Sequence, residues 1–254
     1  MYVVHNNKDP VMKILSFLFL ALFLLPTAQA NDPSAAVNDL PRTVEISSNM
    51  SSLETKVRGA AVRVITAGGG HGSGSLVEYH DMQLILTAQH VADEPVGTAY
   101  RIIRGHAMGE AYLIYSNNEQ DIAVLWVRVP FPNGAIRWNP SREIAPVGTE
   151  ITYSGYPSFH SLMSFRGRVA GFETRRNGNV NIMLHTFGYF GCSGSSIYNS
   201  DGEIVGILWG IDNGRDGSSI PSMVWVSPIQ NLNLRNALMS VCTSVPEGTF
   251  RACR

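Results

Sequence analysis

Many short β-branched runs separated by turn residues are the feature that most constrains this chain, because such runs pack as strands and leave little for helices. They fall at 60–66, 75–79, 84–88, 122–127, 151–154, 166–174, 180–185, 204–210 and 222–226. The 24 glycines and 13 prolines supply the punctuation between them. Asn177 and Gly178 form a strong hairpin dipeptide between two of the runs. The expected fold class is therefore all-β. Ser227 and Pro228 read as the N-cap and first residue of one helix through about Met239, with Ile229, Leu232 and Leu238 as its apolar contacts.

The most chemically loaded stretch is Phe187-Gly188-Tyr189-Phe190-Gly191-Cys192-Ser193-Gly194-Ser195-Ser196. Glycines on both sides of Ser193 let the backbone turn sharply and bring N–H groups beside an attacking oxygen. Ser193 is the candidate nucleophile, and the N–H groups of Gly191 and Ser193 are the candidate oxyanion hole. Gly-Ser tetrads also make ordinary turns, so the motif gains weight only from its company. Upstream, the strand Leu84-Ile85-Leu86-Thr87 runs into His90 where the chain must turn. A polar turn, Asn117 to Gln120, precedes Asp121 and the strand that follows it. Glu119 is the competing carboxylate. Metal binding by His90 with His71 and His80 is disfavoured by their spacing. The glycine cluster 68–74 lacks the Lys-Ser/Thr ending of a phosphate cradle and runs into a strand, so it reads as a turn.

The order His90, Asp121, Ser193, with intervals of 31 and 72 residues, resembles the trypsin-like serine proteases, and most nearly the compact HtrA/Deg type. Gly72-Ser73-Gly74, Gly155-Tyr156-Pro157, Arg166 to Val169 and Ile220-Pro221-Ser222 agree with that type. The resemblance spans roughly residues 58 to 240. It implies two six-stranded antiparallel β-barrels with a short C-terminal helix, His90 and Asp121 coming from the first barrel and Ser193 from the second. Polypeptides are the implied substrates, pairing with a strand edge at Leu208, Trp209 and Gly210, while Phe187 and Gly188 border the pocket for the residue before the cut. No metal or organic cofactor is implied. The expectation is of a domain without the PDZ module that HtrA proteases usually carry. Cys192 stands where digestive trypsins have an aspartate, so no zymogen cut of the trypsin kind is expected.

Three other readings compete with that one. A viral-type cysteine nucleophile needs its cysteine directly before a glycine, a place that Ser193 fills. An α/β-hydrolase esterase needs glycine at position 195 and a histidine last in the chain. A catalytically idle trypsin-fold binding module is the remaining alternative, although such modules usually lack a member of the triad.

The rest of the chain bears on location. Lys13, an apolar run from Ile14 to Leu25 and the small-x-small site Ala28-Gln29-Ala30 predict a signal peptide over residues 1–30, with Met12 as an alternative start. A secreted or periplasmic protein follows, with an uncleaved membrane anchor as the alternative. A loose leader is expected over 31–57, the protease domain over 58–240 with its barrel boundary near 135–148, and a tail over 241–254. Of the three cysteines, Cys242 and Cys253 are the candidate disulfide. A net charge of −1 with 15% charged residues gives no footprint for nucleic acid.

Overall fold

The structure, a computed structural model, describes residues 49–175 and 178–244. The expected signal peptide and the Cys242–Cys253 bridge lie outside the described residues.

Its first element is a helix, α1 (Ser52–Ala60), where the composition predicts a loose leader through residue 57. The local signal is a capping box. Ser51 Oγ accepts from the Glu54 N–H at 3.2 Å, and Glu54 Oε2 accepts from the Ser51 N–H at 2.7 Å. Glu54 is buried and ion-paired to Arg166 of the second barrel. That guanidinium, with the Ser51 N–H, holds the Glu54 carboxyl down at about 2. The helix is thus tied to the domain at its N-terminal end.

Six antiparallel strands follow: β1 (Ala61–Ile65), β2 (His71–Tyr79), β3 (Met82–Thr87), β4 (Ala99–Arg104), β5 (Ala107–Asn117) and β6 (Ile122–Val127). They run in the order β1-β4-β5-β6-β3-β2, and pairing of β1 with β2 closes the first barrel. A two-residue strand, β7 (Ile136–Arg137), adds to β2 in parallel. The second barrel comprises β8 (Glu150–Gly155), β9 (Met163–Thr174), β10 (Val180–His185), β11 (Ser196–Asn199), β12 (Ile204–Asn213) and β13 (Ser219–Pro228). It closes in the order β10-β13-β12-β11-β8-β9.

The strand period of two explains how both barrels share a seam. On β3, Ile85 points into the first barrel while Leu84 and Leu86 point out of it; on β6, Ala123 and Leu125 point in while Ile122 and Val124 point out. The outward residues meet Tyr198, Ile204 and Ile207 of the second barrel. Each large aliphatic side chain buried there is worth about 1.5–3 kcal/mol. Strands buried on both faces read as unbroken apolar runs, which is how 122–127 and 204–208 look in the sequence.

The C-terminal helix is corrected in position. Ser227 and Pro228 end β13 rather than cap a helix, because the strand pairs on both sides, Val226 with Ile182 and Leu208, and Ser227 with Ile207. A 3-10 turn (Ile229–Asn231) follows, and the helix α2 spans Leu234–Ser244. Asn233 starts it, its Oδ1 accepting from the Asn236 N–H at 3.0 Å. Ile229, Leu232 and Leu238 do lie buried in the seam, beside Leu234, Ala237 and Val241 at helical spacing. Among the described residues, no helix is long and apolar enough to cross a membrane.

Candidate active site

His90 lies on a 3-10 turn (Gln89–Val91) just after β3, and Asp121 lies at the junction of β5 and β6. The two are joined twice: Asp121 Oδ2 is 2.8 Å from His90 Nδ1, and Asp121 Oδ1 accepts from the His90 backbone N–H at 2.9 Å. The carboxylate is buried and the imidazole half exposed, with side-chain exposures of 12% and 47%. Asp121 holds φ at +52°, a left-handed conformation that Asp tolerates better than most residues. Glu119 is exposed, and only its backbone carbonyl takes part in this region.

Ser193 sits on the loop between β10 and β11, partly exposed. Its Oγ donates to the Trp209 carbonyl at 3.3 Å. The loop is braced from three directions: the Ser73 N–H donates to the Ser193 carbonyl at 2.7 Å, the Gly194 N–H to the Leu208 carbonyl at 2.7 Å, and the Cys192 N–H to the Tyr189 carbonyl at 2.9 Å. Among the described residues, the N–H groups of Gly191 and Ser193 have no protein acceptor. The Phe190 carbonyl accepts from the Ser158 N–H at 2.6 Å, which aims the Gly191 N–H of the same trans peptide the opposite way. Ser158, which donates in that bond, lies at positive φ, as does Phe159 after it.

The loop and the histidine turn meet at two glycines. A Cβ on Gly72 would stand 2.5 Å from Val91 and 3.0 Å from the Ser193 carbonyl. A Cβ on Gly194, at φ +94°, would stand 2.0 Å from the Ser73 carbonyl, 2.3 Å from Thr87 Oγ1 and 3.0 Å from the Ala88 nitrogen. The three candidate residues are therefore gathered in one place, with His90 and Asp121 hydrogen-bonded and Ser193 packed against the strand ends beside them.

The sequence profile of the trypsin-like peptidase domain matches residues 72–207, more than half of the chain. This chain belongs to that family. No curated protein matches it at a significant level. Among solved structures, the Rv3671c protease of M. tuberculosis H37Rv, as a serine-to-alanine mutant in an inactive form, is similar at a TM-score of 0.59 and 15% identity, over 78% of this chain and 93% of that one. A second structure of the Rv3671c protease, also in an inactive form, gives a TM-score of 0.58 at 15% identity, over 85% of this chain and 99% of that one. At such identity the likeness concerns the fold.

Within this trypsin-like peptidase domain, Ser73 is the residue whose role the sequence reading left unassigned. Its hydroxyl donates to the Gly191 carbonyl at 2.6 Å and accepts from the Tyr156 N–H at 2.9 Å, while its carbonyl accepts from Thr87 Oγ1 at 2.8 Å. One side chain thus ties the loop that carries Ser193 to β2 and to the turn after β8. The signal is Gly72-Ser73-Gly74, a strand with glycines on both sides of a serine because the Ser193 loop crosses it closely. His71 joins the same brace through Nε2, 2.8 Å from the Tyr156 carbonyl, and lies edge-on to Phe159. Among the described residues, no group of three or more His, Cys, Asp or Glu is placed to hold a metal ion.

The candidate substrate residues separate. Leu208 is buried, and both its backbone groups are taken, the N–H by the Ser195 carbonyl and the carbonyl by the Gly194 N–H. The irregularity in pairing with β13 between Leu208 and Gly210 places Trp209 in a bulge. On the β11 side, pairing ends with those two Leu208 bonds, so the open edge of β12 starts at Trp209, one residue later than the sequence suggests. Gly188 packs directly on Val224 and Ile211; a Cβ there would stand 2.6 Å and 3.1 Å from them. Phe187 stacks on Phe165 and faces a recess of about 1070 Å³ between α1 and the second barrel, which none of the three candidate catalytic residues lines. Cys192 is a free, buried thiol in the second-barrel core, and burial pushes its pKa up. A thiol so placed is a poor nucleophile.

The close approach at Gly194 gives a stability prediction. Gly194→Ala costs about 2–5 kcal/mol through overpacking and left-handed strain, read as a lower urea midpoint. Gly171→Ala, with open space and ordinary φ, stays within about 0.5 kcal/mol of the parent.

Proposed function

We propose that this chain is an exported serine endopeptidase that cleaves polypeptides through an acyl-enzyme, with His90, Asp121 and Ser193 as its triad. The observation that carries the reading is the pair of hydrogen bonds between His90 and the Asp121 carboxylate, which fixes the imidazole through Nδ1 and leaves Nε2 for the serine. In the reaction the Ser193 hydroxyl turns from the Trp209 carbonyl to His90 Nε2, gives up its proton and attacks the scissile carbonyl. The developing oxyanion lies against the Gly191 and Ser193 N–H groups, each worth roughly 3 kcal/mol in the transition state. His90 then protonates the leaving amine, and the acyl-enzyme is cleared by a water that His90 deprotonates.

Substrate would pair as an extended strand with the open edge from Trp209 to Ile211. Gly188, Val224 and Ile211 lie too close together for a deep pocket, which supports a small apolar residue before the cut. The N-terminal apolar segment supports export to a periplasm or the outside, with a membrane anchor as its alternative.

A second reading, an idle trypsin-fold binding module, is favoured by one observation: the Ser193 hydroxyl is bonded to Trp209. A fluorophosphonate probe applied to the chain from Asn31 onward separates the two, with casein digestion alongside. Stoichiometric labelling of wild type is the expected result. A folded wild-type chain that neither labels nor digests casein would overturn the protease reading.

A further inference from the structure

The loop that carries Asp121 belongs to the first barrel, yet residues of the second barrel hold its backbone. At the tip of the β9–β10 hairpin, Arg175 Nη1 donates to the Glu119 carbonyl at 3.2 Å, and Asn179 Nδ2 reaches the same oxygen at 3.3 Å. From the end of β13 and the turn that follows it, Ser227 Oγ donates to the Gln120 carbonyl and Asn231 Nδ2 to the Gln120 side chain. The residue that follows these two gripped carbonyls is Asp121, held in its left-handed conformation. A single residue there has no regular secondary structure to fix it, so its position depends on such outside contacts.

Arg175 stands apart from the other three. Its guanidinium lies 4.2 Å above the Trp209 ring, and the Trp209 carbonyl is the acceptor for the Ser193 hydroxyl. One side chain thereby connects the carboxylate loop to the strand beside the nucleophile. Among the described residues, Arg175 Nη2 is buried without a hydrogen-bond acceptor and its guanidinium has no carboxylate bonded to it, an expensive arrangement for a cation. The Asp121 charge offsets part of that expense, since it favours the protonated guanidinium where burial disfavours it.

We infer that Arg175 is a positioning residue for the Asp121 carboxylate, acting through the Glu119 carbonyl and its stacking on Trp209, and hence that the second barrel sets the geometry of the first barrel's half of the triad. This rests on the protease reading above. Arg175 touches no reacting atom; it keeps Asp121 where His90 can use it. A misplacement of about 1 Å in such a constellation costs about 10²-fold.

The test measures second-order labelling rates with the fluorophosphonate probe for wild type, Arg175→Gln and Arg175→Lys, each also in an Asp121→Asn background, with circular-dichroism melts to confirm folding. Arg175→Gln should label about 10–100-fold more slowly than wild type. Arg175→Lys, which keeps the cation over Trp209 and one donor for Glu119, should recover most of that loss. In the Asp121→Asn background, Arg175→Gln should cost less than about twofold more, because the carboxylate it serves is already gone. Equal losses in both backgrounds, or no rescue by lysine, would make Arg175 merely structural and overturn the inference. A wild-type rate in Arg175→Gln, with altered cleavage of acidic peptides alone, would show that it reads substrate instead. An active wild type with either of those results sinks only this inference, whereas an unlabelled wild type sinks the protease reading and this inference with it.

Discussion

Ser193→Ala and His90→Ala should each lower turnover by roughly 10⁶-fold, with the double variant losing little more. The non-additivity follows from the chemistry. Without Nε2 the hydroxyl of Ser193 is a weak nucleophile, and without the hydroxyl His90 has no proton to take. Neither substitution should disturb the fold, since His90 is half exposed and Ser193 makes one long side-chain bond, to Trp209. Steady-state rates on casein, with thermal midpoints within a few degrees of wild type, check the claim. Cys192 adjoins Ser193 in the chain, but its buried thiol, in the core of the second barrel, cannot replace the hydroxyl. Retention of more than about 1% of wild-type turnover in Ser193→Ala would therefore point to a different attacking group.

What the sequence made legible, and what it hid, follows from the range over which each feature is determined. The strands, the His90 turn and the Ser193 loop depend on residues close in sequence: β-branched runs, an apolar strand ending at Thr87, glycines around one serine. The helix α1 was equally local, its capping box at Ser51 and Glu54 written in the chain, but an Asn- and Ser-rich neighbourhood masked it. Pro228 misled for the opposite reason. A Ser-Pro pair is a sound helix start in isolation, and only pairing of β13 with β10 and β12 makes it a strand end. The one-residue displacement of the open edge of β12 is of the same kind, since it depends on the Ser195 carbonyl and the Gly194 N–H taking both backbone groups of Leu208. Ser73 and Arg175 could not have been assigned at all from local pattern, because their partners lie 118 and 56 residues away.

Asp121→Asn should lower kcat by about 10⁴-fold and leave the protein folded. Asparagine keeps the shape of the site: it tolerates the left-handed φ of +52° as aspartate does, and its carbonyl oxygen can still accept from the His90 backbone N–H. What fails is the second contact. The amide nitrogen then faces His90 Nδ1, now 2.8 Å from a carboxylate oxygen, and a donor facing that atom selects the tautomer with its proton on Nε2. That proton occupies the site where the Ser193 proton must go. The imidazolium also loses the negative charge that stabilises it during attack. Asp121→Ala adds a different defect, because alanine pays the full strain of the left-handed backbone, about 1–2 kcal/mol, and leaves the His90 N–H without its acceptor. The two variants should therefore differ in stability more than in turnover: similar kcat, with the melting temperature clearly lower for alanine. If Asp121→Asn instead keeps turnover within tenfold of wild type, the orientation of His90 does not depend on that carboxylate, and the triad assignment falls even though His90 and Asp121 are hydrogen-bonded.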